Sequence, residues 1–103
     1  MGQLIKRMIP GDSARCELNG LYTILSLQGI DDDLPPKVVI RSSLDDRSVE
    51  IPEGESFRTH LKGEPIEVKF ARLDRQTRKA SLVFKADNKV LFELRRGKGG
   101  GRV

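Results

Sequence analysis

Few residues in this 103-residue sequence are able to carry covalent or metal chemistry. It contains one cysteine, Cys16, and one histidine, His60. A zinc site needs several Cys or His ligands at short spacing, so none is expected. A Cys/His pair is disfavoured, because Cys16 shares the apolar phase of its strand while His60 falls on the polar phase. We therefore expect Cys16 to be a buried apolar residue, and we predict a non-enzymatic protein with no catalytic residue, cofactor or metal ion.

Basic residues carry the remaining chemical signal. Several lie at one predicted hairpin tip, and others lie in a glycine-rich segment at the C-terminus. Cations arranged in this way are able to follow a phosphate backbone, which makes an RNA- or DNA-binding regulator one hypothesis. The aromatic residues fall on the apolar phases of their strands, so no base-stacking platform is expected. The candidate nucleic-acid-binding residues are Arg72, Arg75, Arg78, Lys79, Arg95 and Arg96.

The charges are unevenly distributed along the chain, whose formal net charge is +4. Residues 1–56 contain six Lys or Arg and ten Asp or Glu, whereas residues 57–103 contain thirteen and five. This asymmetry indicates an electrostatic partner or copies that associate head to tail. An alternative is that the charges only solvate the outer faces of strands.

Alternation of apolar and polar residues predicts β-strands along most of the chain. The pair Asn19-Gly20 is typical of a type I′ hairpin turn, which needs positive φ at both central residues. We predict an all-β fold, a small antiparallel barrel or sandwich of about seven to eight short strands with extended termini. Residues 13–96 would form one β domain, between an N-terminal arm at 1–12 and a basic, glycine-rich tail at 97–103.

The second half of this domain is predicted to be a three-stranded meander over residues 65–96. Its last two strands have apolar residues on both faces, with Val83 and Leu91 as the surplus, and this indicates a second packing surface. The predicted core consists of Leu18, Leu25, Val38, Ile40, Ile51, Phe57, Ile66, Val68, Phe70, Leu82, Phe84, Val90 and Phe92.

Residues 54–96 contain a short series of motifs: Gly54-Glu55, then Gly63 before Ile66-Glu67-Val68, then Leu82–Ala86 leading to Val90-Leu91-Phe92. This series resembles the carbon storage regulator family of RNA-binding translational regulators. The resemblance implies RNA binding through the first and last strands of a strand-swapped dimer, with Arg95 and Arg96 near the RNA. The sequence departs from the family pattern in three ways. Asp87 stands where the family has a proline, the middle turn is longer, and the family has no equivalent of the roughly fifty residues that precede the match.

The absence of chemical motifs favours a structural or assembly module that docks on a larger symmetric assembly, for example a phage capsid or tail component. Its partners would be other protein chains, in a homo-oligomer or a large assembly, with nucleic acid as a further candidate and no membrane. Without an apolar leader or spanning segment, cytoplasmic synthesis is expected, with the virion as a destination. Acidic loops at 31–33 and 45–46 would meet the basic hairpin or tail of a neighbour. The predicted partner-binding residues are Asp31, Asp32, Asp33, Val83, Leu91, Arg95, Arg96, Lys98 and Arg102.

Overall fold

A computed structural model describes residues 2–97, which form two antiparallel sheets packed face to face. The strands are β1 Gly2–Met8, β2 Ser13–Leu18, β3 Leu21–Asp31, β4 Lys37–Ser42, β5 Arg47–Pro52, β6 Ser56–Leu61, β7 Glu64–Asp74, β8 Lys79–Ala86 and β9 Leu91–Arg95. Sheet A has the strand order β1-β8-β7-β6, and sheet B has the order β5-β4-β3-β2-β9. The sheets do not close into a barrel, so the sandwich is the form that this chain adopts.

The core between the sheets follows the alternation in the sequence. Eleven of the thirteen predicted core residues are buried, and the other two, Phe57 and Phe92, are partly buried against the same cluster. Met8 and Leu27 are also buried, although the predicted core does not contain them, and Cys16 is buried as expected. In the turn between β2 and β3, Asn19 and Gly20 have φ values of 51° and 84°. Both central residues of the turn therefore have the positive φ that the predicted type I′ hairpin requires.

The predicted N-terminal arm is wrong for the residues described, because Gly2–Met8 is an edge strand of sheet A. It pairs with β8 from Gly2 opposite Ala86 to Met8 opposite Ala80. Met8 is fully buried, so burial of this side chain holds the strand in the body of the domain.

The predicted meander over residues 65–96 is also wrong in its third strand. Strands β7 and β8 pair as expected, but β9 crosses to sheet B and pairs with β2. The reason is that β1 already occupies the free edge of β8. The four residues 87–90 make the crossing, and Val90 is buried at its end.

Candidate nucleic-acid interface

The outer face of sheet A carries a dense group of cations. On β8, Leu82 and Phe84 point into the core, so the alternate residues Lys79, Ser81, Val83 and Lys85 face outward. The same alternation applies to β1, β6 and β7, and the cross-strand register sets these outward residues side by side. We call the six cations of this surface the basic face: Arg7, Arg58, Lys69, Arg72, Lys79 and Lys85.

Two carboxylates, Glu67 and Asp74, share this surface with the six cations. Asp74 is engaged in its own turn, because its Oδ1 accepts hydrogen bonds from the backbone N–H groups of Gln76 and Thr77. The bonds from Thr77 and Gln76 hold the pKa of Asp74 below its ordinary value. Among residues 2–97, no side chain of the basic face forms a salt bridge.

The outer face of sheet B has a different charge pattern. Its four cations and four carboxylates balance, and three of the cations are paired. Arg15 donates to Glu17 at 2.7 Å and also lies over the ring of Tyr22. Arg41 pairs with Asp46, and Arg95 lies 3.6 Å from Glu93. The eight charged residues are Arg15, Lys37, Arg41, Arg95, Glu17, Asp31, Glu50 and Glu93.

The predicted basic hairpin, which links β7 to β8, meets the predicted acidic loop within one chain. Asp32 accepts hydrogen bonds from Arg75 and, at 3.4 Å, from Arg78. Asp45, in the second acidic loop, accepts a hydrogen bond from Thr59. One of the electrostatic contacts expected between neighbouring chains, that of the loop at 31–33 with the basic hairpin, thus has a counterpart inside this chain. Of the four hairpin candidates, only Arg72 and Lys79 belong to the basic face.

The end of β9 is fastened to the turn between β1 and β2 by a buried carboxylate. Asp12 is 2% exposed and accepts hydrogen bonds from the backbone N–H groups of Ile9 and Gly97 and from the guanidinium of Arg96. Burial raises the pKa of Asp12, but the bonds from Gly97, Ile9 and Arg96 outweigh it and lower the pKa overall. Arg96 is therefore fixed in place. Lys98 and Arg102 lie outside the described residues.

The predicted partner-binding residues do not form one surface. Val83 lies half-buried on the outer face of sheet A, whereas Leu91 lies on the outer face of sheet B and is 65% exposed. Leu91 faces Glu17, which in turn faces Tyr22 across the next pair of strands. The apolar face expected to contain both Val83 and Leu91 is therefore divided between opposite sides of the sandwich.

Sequence reasoning did not assign Arg7 and Arg58 to a binding site. The sequence pattern predicts an arm around Arg7 and therefore gives no strand phase for this residue. Arg58 stands between Phe57 and Thr59 in a pattern that predicts its outward position, but the neighbours that make it part of a basic surface come from β7 and β8. Only the sheet order brings these cations together.

The two residues considered for covalent chemistry lie apart in the fold. Cys16 is fully buried on β2, as expected, and burial raises the pKa of its thiol to about 12. His60 is exposed on the outer face of β6. Within residues 2–97, no group of three or more His, Cys, Asp or Glu side chains is arranged to hold a metal ion.

No protein-family model, curated protein or solved structure matches this chain. The resemblance to the carbon storage regulator family therefore stays a prediction. The part of the chain described here has no helix of the length and apolar character needed to cross a membrane.

Proposed function

We propose that this protein binds double-stranded nucleic acid by laying the basic face against the phosphate backbone. The observation that supports this proposal is the contrast between the two outer faces of the sandwich. Six cations without a salt bridge among residues 2–97 gather on sheet A, whereas most cations of sheet B are paired. An unpaired cation does not have to break an internal contact before it contacts a phosphate.

The side chains of the basic face favour a duplex over a single strand. Phe70 and Phe84 are buried in the core, and Phe57 is turned toward it, so no Phe, Tyr or Trp ring of these strands is presented to a base. Lys and Arg contacts to phosphate fix position without reading sequence. The proposed binding is consequently tolerant of sequence and strongly dependent on salt.

The test is a salt series of duplex binding followed by fluorescence anisotropy. If all six cations contact phosphates of B-form DNA, the plot of log affinity against log salt has a slope of up to about −5. The variant Lys69→Ala/Arg72→Ala should weaken binding to all sequences and reduce the magnitude of that slope by about 2.

The matched control is Arg41→Ala/Arg95→Ala, which removes two cations from the outer face of sheet B. It causes the same loss of net charge, so it should leave the slope nearly unchanged if the proposed face is the binding surface. Equal slopes for the two double variants would assign the binding to overall charge instead. No binding of the wild-type protein at low salt would reject the function.

A second candidate is the structural or assembly module, in which this domain docks on other protein chains. It is favoured by two exposed apolar side chains on sheet B: the edge-strand residue Leu91 is 65% exposed, and Tyr22 is 47% exposed. Burying two such side chains stabilises an interface by a few kcal/mol, on the order of 2 each. Sedimentation velocity over a wide concentration range tests self-assembly, with Leu91→Lys expected to abolish it. A wild-type protein that stays monomeric would exclude its own copies as the partner.

A further inference from the structure

One corner of the basic face is concave. The depression, of about 490 Å³, lies where the last residues of β1 meet the first residues of β8 and where Arg96 reaches across from the end of β9. Among residues 2–97 no carboxylate lines it, in contrast to the depression near Glu64, Glu67 and Asp87. We call this depression the corner pocket, and it is lined by Ile5, Lys6, Arg7, Lys79, Ser81 and Arg96.

Arg96 is held at the corner pocket by contacts behind it. Its Nη1 donates to the Asp12 carboxylate at 2.9 Å and to the Arg7 carbonyl oxygen at 3.1 Å. These two bonds use both hydrogens of that nitrogen. The Nε and Nη2 hydrogens have no acceptor among residues 2–97, so one edge of a fixed guanidinium is free. A fixed guanidinium edge suits the oxygens of a phosphate group.

The charge at the corner pocket exceeds what one phosphodiester needs. Four cations line it. Asp12, which lies behind Arg96, offsets one of them, and Asp74, which stands opposite Lys79 in the register, offsets a second. A phosphodiester carries one negative charge, whereas a phosphomonoester carries about 1.5 to 2 at neutral pH. The Ser81 hydroxyl adds a neutral hydrogen-bond donor to the lining.

We propose that the corner pocket binds a phosphomonoester group, as carried at the end of a nucleic acid strand. The inference rests on the proposed function, because the pocket lies at one corner of the face proposed to contact the duplex. A terminal phosphate would meet the cations of the pocket while the adjoining duplex contacts Lys69 and Arg72. Binding would then favour phosphorylated ends over internal positions.

The test compares two short duplexes of one sequence, one with 5′-phosphates and one with 5′-hydroxyl ends. The wild-type protein should bind the phosphorylated duplex about tenfold more tightly. The variant Arg7→Gln/Lys79→Gln should lose this preference. The control Lys69→Gln/Lys85→Gln removes the same charge elsewhere on the basic face, so it should weaken both duplexes and keep the preference. Arg96 is left intact, because its replacement would disturb the Asp12 contacts.

The outcomes separate the two proposals. Equal binding of the two duplexes by the wild-type protein would overturn the corner pocket and leave the proposed function standing. If neither duplex binds, the proposed function fails. The corner pocket is then tested alone by titrating the protein with inorganic phosphate and with a mononucleotide and following the backbone amide chemical shifts. Shifts confined to Lys6, Arg7 and Ser81 would support the pocket with a free phosphate as its source, and an unchanged spectrum would overturn it.

Discussion

The carboxylate of Asp12 accepts a hydrogen bond of 2.8 Å from the backbone N–H of Gly97, a residue 85 positions later in the chain. This bond joins the β1–β2 turn to the end of β9. Gly11 and Gly97 pass each other closely beside it, with the place of a Gly97 Cβ lying 2.8 Å from the Cα of Gly11. The buried Asp12 side chain thus holds the chain just after β9 against the β1–β2 turn. The close approach to Gly11 is possible because Gly97 has no side chain.

Replacing Asp12 by Asn is expected to destabilise the protein by about 1–3 kcal/mol, because buried donors lose a charged acceptor. The folded-state pKa is lowered, so the stabilisation by the carboxylate is complete above the unfolded-state value of about 3.9 and declines as pH falls through the folded-state pKa. Urea unfolding at pH 7 and at pH 3 measures both effects.

The difference in unfolding free energy between wild type and Asp12→Asn should therefore shrink in acid. Glu50→Gln serves as the control, because Glu50 is exposed and forms no salt bridge among residues 2–97. It should change stability by less than about 0.5 kcal/mol at either pH. A difference for Asp12→Asn that stays constant between the two pH values would contradict the assignment.

Replacing Gly97 by Ala is expected to cost about 1–3 kcal/mol, because the new Cβ overlaps the carbonyl group of Gly11 and the backbone has to move. Thermal unfolding should show a decrease in Tm of about 4–8 °C for each kcal/mol lost. Gly29→Ala is the control, because a Cβ on Gly29 meets nothing within 4 Å. Equal decreases for both variants would contradict the predicted clash with Gly11 as the cause of the lost stability.

Cys16 is expected to be unreactive toward thiol reagents in the folded protein. It is fully buried, and its pKa of about 12 leaves almost no thiolate at pH 8. An Ellman's assay should detect no thiol in buffer and one thiol per chain in urea. The variant Ser56→Cys, which adds a thiol on an exposed position of β6, should react with one equivalent in buffer. Prompt reaction of the wild type would show that β2 opens readily.

Neutralising Asp32 is expected to change stability by less than about 1 kcal/mol, because its pairs with Arg75 and Arg78 are solvent-exposed. It should also increase duplex affinity, since two guanidinium groups next to the basic face are released. Asp33→Asn makes the same change of net charge one residue away, and Asp33 has no ion pair among the described residues. A larger gain for Asp32→Asn than for Asp33→Asn is the predicted result in anisotropy titrations.

Apart from β1, the strands were accessible from the sequence, and so was most of the core, because both depend on local alternation. The pattern around Phe70 and Phe84 fixes which residues point inward, whatever the partner strand is. The assignment of strands to sheets was not accessible. Nothing local in Leu91–Arg95 distinguishes pairing with β8 from pairing with β2, and the outcome depends on β1 having filled the edge of β8.

The positive charge of the candidate interface was predictable from the sequence, but the position of the interface in the fold was not. The excess of cations after residue 57 is visible in the sequence, and Arg72 and Lys79 were correctly placed near one another. The pairing of Arg75 with Asp32 was not visible, because it joins a loop and a hairpin that are 43 residues apart. Arg7 reaches the same face only through the pairing of β1 with β8.

The crossing of β9 to the edge of β2 also has a consequence for the order of synthesis. Strand β2 is synthesised early, but β9, which pairs with its free edge, leaves the ribosomal exit tunnel more than seventy residues later. During that interval the nascent chain presents an unsatisfied row of backbone groups, the kind of edge at which chains aggregate. A polypeptide truncated before Leu91 would keep this edge open permanently, so quality-control proteases should remove such fragments faster than the finished domain.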